Sequence, residues 1–152
     1  QKRNLFPGSL VQMKRTQQPG EIQLSVEHRK PTKEWMRTVL IGSDGGIVIA
    51  MLKQQIASAF DERLALSIPN VEELDVFWLQ GKGHKEQLQP LIIRMLRELS
   101  KLNPQGHVHT QELYAVINVV KRMPPGPILD ILLNDELFTH VGDLYFRLKE
   151  AA

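Results

Sequence analysis

The sequence predicts an α+β, helix-rich chain of two similar units that ends in a β-hairpin. Three observations carry this. Leu88, Leu91, Ile92, Met95, Leu99 and Leu102 recur at the spacing of one helical face. Phe138, His140, Leu144, Phe146 and Leu148 alternate with Thr139, Val141, Tyr145 and Arg147 around Gly142-Asp143, which reads as two strands and a tight turn. Finally, WMRTVLIGSDGGIVIAMLKQQIASAF repeats the order of features in MLRELSKLNPQGHVHTQELYAVINVV: an apolar helix, a glycine turn, a short β-like segment and a second helix.

Taken in order, residues 1–20 hold the turn pairs Pro7-Gly8 and Pro19-Gly20 and are expected to be irregular, with one short strand around Leu10-Val11. EIQLSVEHR (21–29) alternates, Ile22, Leu24 and Val26 against Gln23, Ser25 and Glu27, the period of a half-buried strand that Pro31 ends. Thr32 is placed to cap a helix whose apolar face is Trp35 and Val39 with Met36 and Leu40, stopped by GSDGG (42–46). Ile47-Val48-Ile49 is a short β-branched run. A helix over 50–65 follows, with Leu52, Ile56, Ala59 or Phe60, and Leu64 on one side. A short helix is expected at 70–79, and Gly81-Lys82-Gly83 is the best linker.

The second half begins with the periodic helix. NPQG (103–106) breaks it, His107-Val108-His109 is a short strand, and Thr110 caps a helix with Leu113, Val116, Ile117 and Val120 as its buried stripe. The prolines of PPGP (124–127) stop that helix, and a last one of two turns begins near Pro127, where proline is tolerated in a first turn.

Composition narrows the function classes. At 152 residues, 42% hydrophobic and 24% charged, the chain has room for one ordinary domain or two small ones and is too apolar for wholesale disorder. No apolar run reaches the ~18–20 residues that cross a bilayer, so no membrane is expected, and the start lacks a secretory h-region. The absence of cysteine excludes a disulfide scaffold, Cys-ligated zinc fingers and thiol catalysis, and suits an intracellular protein of nucleus or cytoplasm. A chain that opens on Gln rather than Met is expected to be a piece of something longer. The net charge of +2 is uneven: residues 1–33 carry seven basic against two acidic residues, and the remainder is net acidic.

The order of PLIIRMLRELSKL, GHVHTQELYAVINVV, PGPILDILLND and LFTHVGDLYFRL is similar to a winged-helix domain, a helix-turn-helix variant with a β-hairpin wing. The resemblance covers nearly the whole second half and is one of element order, without a signature motif. Residues 33–80 look like a weaker copy, similar in their Gly-turn, strand, helix order to the LOTUS subtype. After a basic N-terminal arm with one strand (1–31), it implies a first winged-helix-like unit (32–81) and a second (84–150), hence two tandem units; the alternative is one winged helix with a mixed N-terminal subdomain. It also implies that the last helix would be the one offered to a DNA groove. That helix has no basic residue and three acidic ones, Asp130, Asp135 and Glu136, a surface that repels phosphate.

No constellation in the chain marks an enzyme. Asp44-Gly45-Gly46 lacks the spacing of a P-loop or a dinucleotide turn. His107-x-His109 would share a strand face but has no carboxylate in a metal-ligand spacing. Glu72, Glu73 and Asp75 read as a solvated face. The expectation is therefore a non-enzymatic assembly domain, needing no cofactor or metal, that docks a protein partner in a larger nucleic-acid-handling complex. Its candidate protein contacts are Phe77 and Trp78, beside the glycine hinge, and Asp130 and Leu133 on the last helix. The alternative is direct DNA or RNA binding through the arm and helix flanks. The candidates for that are Lys14, Arg15, Arg29, Lys30, Lys33, Lys53, Arg94, Arg97, Lys121, Arg122 and Arg147, with Lys101 on the same helix as Arg94 and Arg97.

Overall fold

A computed structural model describes residues 10–27, 33–55 and 63–149. Strands β1 (Leu10–Arg15) and β2 (Ile22–Glu27) form an antiparallel hairpin with Met13 opposite Leu24. The strand expected near Leu10-Val11 and the alternating strand that follows are both there. Gly20, at φ 82°, supplies the left-handed residue of their turn.

Residues 33–55 differ from expectation. Instead of two helices around a short strand, β3 (Lys33–Ile41) and β4 (Ile47–Gln55) pair along their whole length as a second antiparallel hairpin. Trp35, Val39 and Leu40 do fit a helical stripe, but Thr38, Val39 and Ile41 are β-branched residues that favour a pleated surface. GSDGG does not cap a helix. It closes the hairpin, with the Gly42 N–H donating to the Gly46 carbonyl at 2.8 Å and the Gly46 N–H to Asp44 Oδ1 at 2.9 Å. Pairing with β3 then overrides the helix propensity of residues 50–55. Thr32 and residues 56–62 of the second expected helix lie outside the described residues. The fold is α+β, and among the described residues helix and strand are nearly equal in number.

Ser67 adds one parallel rung to β3: the Val39 N–H donates to the Ser67 carbonyl at 2.8 Å and the Ser67 N–H to the Arg37 carbonyl at 3.0 Å. This leads the chain into α1 (Val71–Leu79), where the sequence places it. Gly81-Lys82-Gly83 is not a free linker. Gly83 is buried against the end of the third helix, where a Cβ would sit 2.2 Å from the Val120 carbonyl oxygen.

From α2 (Leu88–Ser100) onward the expected order holds. β5 (Val108–His109) runs into α3 (Thr110–Val120), and α4 (Pro125–Asn134) begins two residues earlier than expected. The residue that caps α3 is His109, not Thr110, its Nδ1 accepting from the Gln111 N–H at 3.1 Å. Strands β6 (Phe138–Gly142) and β7 (Tyr145–Leu148) form the terminal hairpin, which turns on Gly142 and Asp143, both at positive φ. β5 pairs with β7, giving a three-stranded sheet in the order β5-β7-β6.

One hydrophobic cluster runs through the molecule. Leu91, Ile92, Met95 and Leu96 of α2 are its fully covered centre, with Leu113, Val116 and Ile117 of α3, Ile128 and Leu132 of α4, and Phe146 of β7 around them. Val39, Ile47 and Ile49, at the turn end of the β3–β4 hairpin, belong to the same cluster. The ion pair of Arg37 with Glu112 at 3.3 Å ties β3 to the first turn of α3.

Candidate functional site: a cationic groove and uncovered apolar faces

The basic residues singled out in the sequence fall into separate places. Lys14 and Arg15, being consecutive on β1, point to opposite faces of the first hairpin. Lys33 and Lys53 lie at the open end of the second, where Lys53 Nζ sits 5.4 Å from the ring centroid of its cross-strand neighbour Trp35. Arg94 is neutralised by Glu86 at 2.5 Å, and Lys121 reaches the backbone carbonyl of the same Glu86 at 3.4 Å. Arg122 is exposed just past α3. Arg29 and Lys30 lie outside the described residues.

Among the described residues, Arg97 and Arg147 are brought together with a further cation. With Lys101 they line a shallow groove of about 360 Å³ whose floor includes Ser100, Gln105 and Gly106. Arg97 and Lys101 stand one turn apart on α2, so they share a face. Lys101 is paired with Glu98 at 2.9 Å, while neither arginine has a carboxylate partner among the described residues. The floor is held by its own bonds: Asn103 Nδ2 donates to the His107 carbonyl at 2.6 Å, and Asn103 Oδ1 accepts from the Gln105 N–H at 3.0 Å.

Two residues before Arg147 on the same face of β7 is Tyr145. The His107 ring is tilted against it with centroids 5.1 Å apart, and the His109 ring meets it edge-on at 4.9 Å. Tyr145 Oη accepts from Arg63 at 3.3 Å. The two histidines therefore frame a tyrosine, and His109 spends Nδ1 on the cap of α3. No group of three or more His, Asp or Glu that could hold a metal ion occurs among the described residues. The aromatic pair beside the groove was missed in the sequence because it depends on β5 pairing with β7 across an intervening 35 residues or so of chain.

The apolar candidates are partly corrected. Phe77 is a core residue, 4% exposed, and not a surface anchor. Trp78 beside it is pinned by its indole N–H, which donates to the Val119 carbonyl at 2.7 Å, and only part of its ring faces solvent. On this helix Val71, Val76 and Leu79 are also exposed, the last at 87%, while Leu74 and Phe77 fill the buried stripe. Asp130 and Leu133 are exposed on α4 as expected, and Leu137, Val141 and Leu144 are also exposed on the connection and hairpin turn that follow.

A further uncovered apolar face among the described residues was not singled out. On the β1–β2 hairpin Val11, Met13, Ile22 and Leu24 share one side with Val26 and are 52%, 72%, 60% and 54% exposed. A two-stranded hairpin is marginal in water by itself, and nothing among the described residues covers this apolar face. No helix among the described residues is long and apolar enough to cross a membrane. Comparison with protein families, with curated proteins and with solved structures finds no match to this chain.

Proposed function

We propose that the chain is a non-enzymatic docking module, held in a larger assembly by protein contacts. The observation that carries this is the β1–β2 hairpin, whose apolar face is more than half exposed at Val11, Met13, Ile22 and Leu24. At the other end of the chain the exposed side of α4 joins Leu133 to Asp130 and lacks any lysine or arginine, which favours a protein over duplex DNA as the partner there. Residues 84–150 are read as a winged-helix-type unit. What supports that reading is the order helix, short strand, two helices, hairpin, with the short strand paired onto the hairpin.

The test is capture by proximity labelling in cells with the wild-type chain and with Met13→Ser/Leu24→Ser. A specific set of proteins that is labelled by the wild type and lost with the double variant, at unchanged melting temperature, is the expected result. Identical labelling by both chains overturns the hairpin's part in docking.

A further inference from the structure

We propose that the groove between α2 and β7 binds the phosphodiester backbone of single-stranded nucleic acid, with Tyr145 and His107 as the adjoining surface for a base. This stands without the docking reading, since it rests on different residues.

The groove gathers Arg97, Lys101 and Arg147 around one opening, and among the described residues only Glu98 is paired with one of them, Lys101. Like charges one turn apart on a helix repel. Such a cluster is relieved when an anion enters, and the guanidinium fork of an arginine suits a phosphate in particular. Ser100 and Gln105 add polar side chains to the lining, and at Gly106, φ 74°, no atom lies within 4 Å of where a Cβ would stand, so a ligand can approach the backbone closely.

Aromatic rings stand beside the cations. Tyr145 and Arg147 alternate onto one face of β7, about 7 Å apart along the strand. Tyr145 is fixed by Arg63 at its hydroxyl and by both imidazoles at its ring. A cationic track beside a positioned aromatic ring is how proteins hold single strands with little regard to sequence, because every base has a π-face. A phosphorylated protein segment would use the cations but has no need of the ring. A duplex, whose bases stay stacked on one another, would likewise leave the ring unused.

Fluorescence anisotropy tests this with the whole chain, a labelled 12-nucleotide oligo(dT), its oligo(rU) counterpart, a labelled duplex and a phosphoserine peptide. Each is titrated at about 50 and about 200 mM salt. Both single strands are expected to bind more tightly than the duplex or the peptide. Arg97→Gln/Arg147→Gln should weaken single-strand binding about 10-fold or more at low salt, and flatten the slope of log K against log[salt] by about 1.4, the share of two phosphate contacts. Tyr145→Leu should weaken binding about 5-fold or more with the slope kept. The two arginine changes are at the surface, so that variant remains informative if Tyr145→Leu does not fold. The proposal is overturned by no binding at low salt, by unchanged affinity in the arginine variant, or by tighter binding of the duplex or the phosphopeptide. A preference between DNA and RNA only names the strand.

Discussion

The first and last hairpins of the chain are built alike and end differently. Both pair short alternating strands around a glycine-containing turn. In β6–β7, Phe138 and Phe146 are 7% and 1% exposed because α2 and α4 lie against the strands. In β1–β2, the equivalent inward set faces solvent. The alternation that makes a strand says which residues will share a side. Whether that side is covered depends on elements far along the chain, or on another molecule altogether. The β3–β4 hairpin lies between these cases: its turn end joins the core through Val39, Ile47 and Ile49, while its open end leaves Trp35 in solvent.

The comparison can be broken by substitution. Phe146→Ala should cost about 3–5 kcal/mol in urea unfolding, the loss expected when a large core side chain leaves a cavity. A cost below about 1 kcal/mol would mean that the last hairpin is no better anchored than the first. Gly83→Ala should cost about 1–3 kcal/mol, since its Cβ would meet the Val120 carbonyl and α1 or α3 must shift. If it is tolerated without loss, the connection between α1 and α2 is looser than its packing indicates. Trp78→Phe should cost about 1 kcal/mol by leaving the Val119 carbonyl without its indole donor, and differential scanning calorimetry would register it as a fall of a few degrees. The smallest effect belongs to Met13→Ser/Leu24→Ser, within about 0.5 kcal/mol, because no core contact is lost at exposed positions. A large loss there would show that the face is covered by the chain itself.

How much was legible in the sequence follows the same division. The helices from 71 onward could be read because each buries a stripe at helical spacing, as Leu91, Ile92, Met95 and Leu99 do. The last hairpin could be read from Gly142-Asp143 and the alternation around it. Residues 33–55 could not, because Trp35, Val39 and Leu40 fall at helical spacing while the β-branched Thr38, Val39 and Ile41 favour a strand, and only the nine-residue pairing with β4 decides between them. Of the site, Arg97 and Arg147 were picked out singly as cations, 50 residues apart. Their meeting with Lys101 is a product of α2 packing on β7, which no local pattern records. Trp78 was noticed for its type, but its role is set by Val119, 41 residues on.

The turn of the last hairpin is also wired to a helix. The Thr110 N–H, at the start of α3, donates to the Leu144 carbonyl at 2.8 Å, one residue past the turn glycine and aspartate. The first amide of α3 therefore has no partner of its own in the helix and borrows one from the hairpin tip. Its rate of deuterium uptake becomes a gauge of that tip: any partner that clamps Leu144 slows the exchange at Thr110, and any that pries the turn away speeds it, without touching α3.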